Sequence, residues 1–453
     1  MENLAKWASS FSSFMWGLPL LLLLVGGGIY LLIVSRFVPF RYFGHAISVL
    51  RGRYDDPDDP GDISHFEALT TALAATVGMG NIAGVAVAIS IGGPGALFWM
   101  WVSGLIGMCT KFFTCTLAIL YRGRDSEGQL QGGPMYFITE GLGRKWKPMA
   151  MLFALAGMIG TLPAFNVNQL TQAVRDIVLI PQGIPTEHSD IITGVVLAIL
   201  AAVVILGGLS RISKTTAKLV PLMVVLYFMS VLAILIVNVA ELPGYLAMIF
   251  TDAFAASHYK GDPMAGGLIG ALIVTGIKRG AFSNEAGIGT APMAHGAAKT
   301  KEPVREGLVA MLGPFIDTIV VCTLTGLAIL VTGAWKGTDN GVTLTAQAFG
   351  EALPGVGPYL LMLCIAIFSI SSLFSYSYYG TKCASFLFGA RWGKYYNIPY
   401  LLSILAGATL SMETVLNFID GTFAVMAFPT MIATLILAPK VMSAGRDYFS
   451  KFT

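Results

Sequence analysis

Two apolar segments about two hundred residues apart are each interrupted by glycines around an Asn-x-Ala-Gly core. The first runs Thr76-Val77-Gly78-Met79-Gly80-Asn81-Ile82-Ala83-Gly84. The second runs from Gly276 to Gly287 and closes on Asn284-Glu285-Ala286-Gly287. A helix in lipid must satisfy its own backbone groups, so a break at membrane depth is tolerated only inside protein or beside a cavity. Breaks at matching places in two halves of a chain point to a secondary transporter's binding site. Such a site needs flanking segments that span a membrane. The 453-residue chain is 55% hydrophobic and 12% charged, with a mean hydropathy of +0.73. A soluble domain carries roughly twice that charged fraction. Runs such as 14–34 and 149–170 exceed the roughly 18 apolar residues that mark a spanning helix. The N-terminal run is too long for a cleavable signal and lacks a small-residue cleavage site. The five cysteines fall in apolar helices and show no disulfide framework.

The pattern predicts an all-α membrane protein with eleven transmembrane helices, at about 14–37, 64–91, 94–121, 148–180, 188–208, 216–239, 264–297, 305–333, 358–388, 396–412 and 414–440. Lys and Arg favour cytoplasmic loops. The loops after odd-numbered spans hold 23 of the 28 basic residues, with Lys278 and Arg279 counted among them. That places the N-terminus outside and the C-terminus in the cytoplasm. The first span is an extra, and the remaining ten form two sets of five. An odd number of helices per set forces the two sets to be inverted. The chain divides into 1–62 (extra helix and cytoplasmic loop), 63–240 (first five-helix repeat), 263–440 (second, inverted repeat) and 441–453 (cytoplasmic tail). Short loop helices are expected at 128–143 and 343–353. The acidic run from Asp55 to Asp62 is expected to be a solvated cytoplasmic loop.

The stretch 70–101, the run Gln131-Gly132-Gly133-Pro134-Met135-Tyr136 and the run 276–295 (GIKRGAFSNEAGIGTAPMAH) resemble the alanine/glycine:cation symporter family along nearly the whole chain. The resemblance implies the amino acid–polyamine–organocation superfamily and a leucine-transporter-type fold of two inverted five-helix repeats plus one helix. It also implies sodium-coupled uptake of alanine or glycine across the cell membrane.

At the first break, a restarting helix offers free N–H groups and partial positive charge to a carboxylate. Gly78 and Gly80 allow backbone approach, and Asn81 can donate or cap. Close helix packing is the alternative for these glycines, since Gly80 and Gly84 form a GxxxG pair. Thr76 belongs to the same cluster. At the second break, Thr275, Gly276 and Ile277 are expected to end the first half-helix and offer carbonyls to a substrate ammonium. Phe282 could gate. Lys278, Arg279 and Glu285 are expected on the cytoplasmic side, with Ser283-Asn284-Glu285 opening a helix. In span four, Phe165 lies near Asn168 and Gln172, which share one face. That pair could fix substrate or bond between helices.

By the resemblance, a sodium ion would sit between the first broken helix and span nine. Its ligands would be the Ala75 and Gly78 carbonyls with Ser371 and Ser372, and Ser369 offers a one-turn alternative register. Intramembrane serines also back-bond to their own helix. Lys111, Asp317 and Asp420 are intramembrane charges and thus functional candidates, with a Lys111–carboxylate pair expected as a clamp or part of ion coupling. The histidines lack metal-ligand spacing and no catalytic constellation is visible, so an enzyme is not expected. The predicted partners are a small amino acid, sodium as coupling ion and the bilayer, with no nucleic acid and no other cofactor. Proton coupling, or a facilitator or receptor that does not concentrate its ligand, are the alternatives.

Overall fold

The computed structural model describes residues 2–263 and 266–452. The predicted start of span seven, 264 and 265, and the terminal residues 1 and 453 lie outside the described residues. The principal helices in chain order are α1 (Glu2–Met15), α2 (Leu18–Val34), α3 (His65–Thr76), α4 (Gly80–Gly92), α5 (Gly95–Leu120), α6 (Arg144–Gln182), α7 (Ser189–Ile205) and α8 (Gly208–Val237). They continue as α9 (Leu242–Ala255), α10 (Gly267–Asn284), α11 (Ala291–His295), α12 (Pro303–Val331), α13 (Gly341–Ala352), α14 (Gly357–Phe388), α15 (Asn397–Thr409) and α16 (Met412–Phe449). Six of them (α5, α6, α8, α12, α14 and α16) are long and apolar enough to cross a membrane. The count rises to eight if the bent pairs α1–α2 (49°) and α3–α4 (52°) are each one span. The predicted spans at 188–208 and 396–412 appear as the shorter helices α7, of 17 residues, and α15, of 13.

Local chemistry sets the boundaries that matter. Ser64 caps α3, accepting from the Glu67 N–H at 3.2 Å while its own N–H donates to Glu67 Oε2 at 2.9 Å. This reciprocal box satisfies two orphan donors. Gly93, at φ +67°, ends α4, and Pro94 follows as the cap of α5. The loop helix expected at 343–353 is α13. The one expected at 128–143 is replaced by a small antiparallel hairpin, Gly123–Arg124 with Leu130–Gln131, followed by helical turns from Pro134 to Gly141. Helices α1 and α9, and a short helix at Phe43–Leu50 between α2 and α3, were not anticipated. All five cysteines are free and buried.

The broken elements occupy the centre. Helix α10 packs along α5, and α3 packs against α8 and α14. Small residues let these backbones approach, as expected where lipid removes the hydrophobic incentive between helices. A Cβ on Gly276 would lie 2.5 Å from Trp99 Cβ and 2.6 Å from the Ala96 carbonyl oxygen. One on Gly280 would lie 2.7 Å from Ser103 Cβ. Both glycines are contact points between α10 and α5, and neither breaks a helix.

Candidate functional site

The first break lies where the sequence places it. Helix α3 stops at Thr76, Val77 leaves helical geometry, and helical structure resumes at Gly80. Asn81 stitches the gap: its Oδ1 accepts from the Gly78 N–H at 2.8 Å, and its own N–H donates to the Gly78 carbonyl at 3.1 Å. Its Nδ2 donates to Asp317 Oδ1 at 2.7 Å and to the Asp317 carbonyl at 3.0 Å. Asn81 is therefore consumed in holding the break and offers its amide to α12 rather than to a ligand.

The second break lies about two turns later than expected. Helix α10 runs without interruption through Thr275, Gly276 and Ile277 to Asn284, and the unwound stretch is Glu285–Thr290. Thr275 Oγ1 donates back to the Ala271 carbonyl at 2.9 Å, and Ile277 is buried inside the helix. The carbonyl set predicted at 275–277 thus stays in the helix ladder. Glu285 is left-handed at φ 53°, and Gly287 and Gly289 have φ +83° and +106°. A Cβ on Gly289 would meet Thr430 Oγ1 at 2.5 Å. Ser283-Asn284-Glu285 is a helix end, not the expected start. Glu285 accepts from Tyr376 OH at 2.6 Å and from Thr290 Oγ1.

Asp317 joins the two breaks. Its carboxylate accepts from Asn81 beside the first and from Ser283 Oγ beside the second, at 2.9 Å, and also from Thr318 Oγ1 at 2.7 Å. Asp317 and Asn81 are fully buried. Lys111 lies within electrostatic reach of Glu285 and Asp317 but makes no direct ion pair among the described residues. The clamp expected of Lys111 is instead made by Asp420, which pairs with Lys278 at 2.9 Å and with Arg279.

Between the breaks lies a nearly closed cavity of about 20 Å³, room for about one water. Its walls are Ala75, Thr76 and Gly80 from the first break, Phe282 from α10, Phe165 and Asn166 from α6, Tyr376 from α14, and Leu162 and Ile419. Phe165 and Phe282 meet edge-on at 5.4 Å. The Asn166 amide is buried and has no hydrogen-bond partner among the described residues. Buried amides are normally bonded, and this one faces the cavity instead. Thr76, Gly80 and Phe165 are thus brought together as expected. Asn168 and Gln172 are not: Asn168 Nδ2 donates to the Leu410 carbonyl at 2.6 Å, and Gln172 Nε2 to Thr343 Oγ1 at 3.0 Å. Asn166 takes their place. Tyr376 carried no sequence signal that separates it from its tyrosine neighbours.

At the junction of α3 and α14, Ser372 Oγ donates to the Ala74 carbonyl at 2.9 Å and to the Phe368 carbonyl at 3.0 Å. It lies 2.7 Å from where a Gly78 Cβ would stand. Ser371 turns away, toward Phe368 (2.9 Å) and Met223 Sδ (3.5 Å). Ser369 Oγ is buried without a partner among the described residues. Hydroxyl and carbonyl oxygens are the ligands of hard cations.

The two ends of the bundle differ. Toward Met412, an open cavity of about 550 Å³ is lined by Trp16, Thr275, Lys278, Arg279 and Met412, among others. Lys278 and Arg279 therefore belong to the end opposite the one predicted for them. The Arg279 guanidinium lies 5.2 Å from the Phe282 ring centre, so the Arg279–Asp420 pair and the Phe282 ring divide the open cavity from the small one. Toward Phe449, backbone bonds close the centre. Asp62 N–H donates to the Ala297 carbonyl at 2.8 Å and Lys299 N–H to Ile63 at 2.7 Å. His65 and His295 both bond the buried Glu306. Arg122 binds carbonyls of Gly296, Ala298 and Pro60. Of the acidic run, Asp59 is drawn in. Burial opposes its charge, but Lys301, at 2.8 Å, holds its carboxyl below the usual range.

The sodium:alanine symporter family model matches residues 1–453. The chain belongs to the sodium:alanine symporter family. A sodium/alanine symporter of Methanococcus maripaludis, AgcS, is 42% identical over 97% of this chain and 96% of its own. An uncharacterized transporter of Haemophilus influenzae is 40% identical over 98% and 96%. Among solved structures, MhsT in complex with L-phenylalanine superposes with a TM-score of 0.60 at 12% identity, covering 84% of this chain and 98% of that one. At that identity the likeness speaks to fold. This family member thus has a helical, transporter-type architecture and is a multi-pass membrane protein of a transport family, which points away from an enzyme.

Proposed function

We propose that this family member is a sodium-coupled symporter that imports small neutral amino acids, alanine and glycine, by alternating access. The observation that carries the reading is the cavity at the first break, walled by Thr76, Gly80, Phe165 and Phe282 and faced by the unpartnered Asn166 amide. At about 20 Å³ the cavity holds about one water and not yet an amino acid. Binding therefore requires the walls to yield, and the Phe165 and Phe282 rings, like the Asn166 amide, make no hydrogen bond among the described residues that would hold them in place. In this reading the eleven predicted spans stand, with α7, α10–α11 and α15 as the short ones, and α3–α16 form two inverted sets of five. The Met412 end faces outside, so the conformation is closed toward the cytoplasm beneath an outer vestibule. Thr76, Gly80 and Asn166 would hold substrate. Sodium would take the Ala75 and Gly78 carbonyls with Ser372, and Ser371 would join only after a rotamer change.

The test is labelled alanine uptake into proteoliposomes under an inward sodium gradient, with potassium and pH-gradient controls. Accumulation above equilibrium only with sodium is the expected result. Accumulation driven by a pH gradient alone would transfer coupling to the buried carboxylates Glu285 and Asp317. Equilibration without accumulation would reduce the protein to a facilitator.

A further inference from the structure

The extra N-terminal span takes no part in the small cavity at the first break, yet its inner end is unusually built. Helix α2 ends in two successive left-handed residues that are not glycine, Arg36 (φ 53°) and Phe37 (φ 60°). Arg36 N–H donates to the Ile33 carbonyl at 2.9 Å and Phe37 N–H to the Leu32 carbonyl at 3.0 Å. Such a terminus is ordinarily a glycine's place. Non-glycine residues held there collect at ligand clamps and switch points.

The turn opens onto a cavity of about 500 Å³ between α2 and α16. Three arginines line it, Arg36, Arg41 and Arg446, and no acidic side chain does. None of the three makes an ion pair among the described residues, although Arg41 lies over the Tyr42 ring at 5.4 Å. Three uncompensated guanidiniums around one space repel each other, and phosphate is the group their planar forks match best. Apart from Ser35, Tyr42 and Ser450 the rest of the lining is apolar, with Val38, Phe112 and Val441 at depth. Above the cavity, α2 presents the exposed apolar residues Ile29, Tyr30 and Ile33. Beside it, Phe37 and Phe40 are about half exposed, as aromatic residues are at a membrane interface.

We propose that this cavity is a binding site for the headgroup of an anionic phospholipid, its acyl chains lying along the exposed face of α2. Charge complementarity selects the phosphate, and continuity with an apolar face selects a lipid over a free anion. Basic pockets at the ends of spanning helices bind such headgroups in general. The extra span then acts as a lipid-held collar on α16, the helix that carries Asp420 and Ile419.

The test is native mass spectrometry of the delipidated full-length protein, offered phosphatidylglycerol and phosphatidylcholine in equal amounts. One phosphatidylglycerol should be retained under conditions that strip phosphatidylcholine. The triple variant Arg36→Gln, Arg41→Gln, Arg446→Gln should bind it about a hundredfold more weakly. A control triple at another open basic cavity of this end, Arg211→Gln, Lys214→Gln, Lys218→Gln, should bind it as the parent does. If the first triple variant fails to fold, Arg446→Gln alone should cost about fivefold. Equal retention of the two lipids, an equal loss in the control triple, or displacement by excess inorganic phosphate would each overturn the proposal.

Discussion

Replacing Ser372 with alanine separates the two serines that sequence reasoning grouped as sodium ligands. Ser372 Oγ bridges the carbonyls of Ala74 and Phe368 at 2.9 and 3.0 Å, hard against Gly78. Ser371 Oγ spends itself on its own helix and on Met223. A cation at this junction would lose one neutral oxygen in Ser372→Ala and none in Ser371→Ala. Hydrogen bonds and dipolar contacts to a charged group are worth about 1.5–3 kcal/mol. The sodium concentration for half-maximal alanine uptake should therefore rise about 10- to 150-fold in Ser372→Ala and stay near the parent value in Ser371→Ala. Gly78→Ala should mimic the first, because its Cβ would stand 2.7 Å from Ser372 Oγ. The assay is proteoliposome uptake across a sodium series at saturating alanine. A larger effect from Ser371→Ala, or a sodium response unchanged in both, would refute the placement.

Asn166→Ala should raise the alanine concentration for half-maximal uptake by about tenfold, the cost of one hydrogen bond to a charged group, while thermal unfolding of the purified protein stays unchanged because that amide bonds nothing in the empty site. Asp317→Ala should strand the donors of Asn81, Ser283 and Thr318, and at about 1 kcal/mol or more each the unfolding midpoint should fall clearly in a fluorescence-detected melt. Gly276→Ala should lower stability by about 1–3 kcal/mol through overpacking against Trp99 and Ala96, while the alanine affinity of the surviving protein, measured by scintillation proximity, is retained.

The first break was legible because its glycines and Asn81 fall together within a few residues. The second was misplaced because glycine has two uses in a membrane helix and one letter for both. Gly276 and Gly280 admit the backbone of α5, whereas Gly287 and Gly289 supply positive φ in the unwound stretch. Only a partner helix tells them apart. The choice of Asn168 over Asn166 failed for a related reason. Both lie in the uninterrupted stretch Ala164–Ala173, and only their surroundings, the Leu410 carbonyl for Asn168 and the cavity for Asn166, tell them apart. Lys278 and Arg279 were drawn to the wrong end by the rule that basic residues favour the cytoplasm. That rule is statistical, and a buried aspartate, Asp420, outweighs it locally. His65, His295 and Glu306 lie too far apart in sequence to show a spacing, yet they meet where α3, α11 and α12 converge.

Asp317 gives the breaks a shared fate. A symporter leaks when one ligand's half of the site loosens while the other's holds, letting an ion or a solute slip through alone. Here any loosening of Asn81 or of Ser283 leaves the same buried carboxylate short of donors, and a half-released arrangement carries the cost of an under-satisfied charge without the freedom of a fully released one. In the symport cycle proposed above, the intermediates of slippage would thus carry the penalty, and the tightness of the stoichiometry would be set by a residue outside both proposed binding sites.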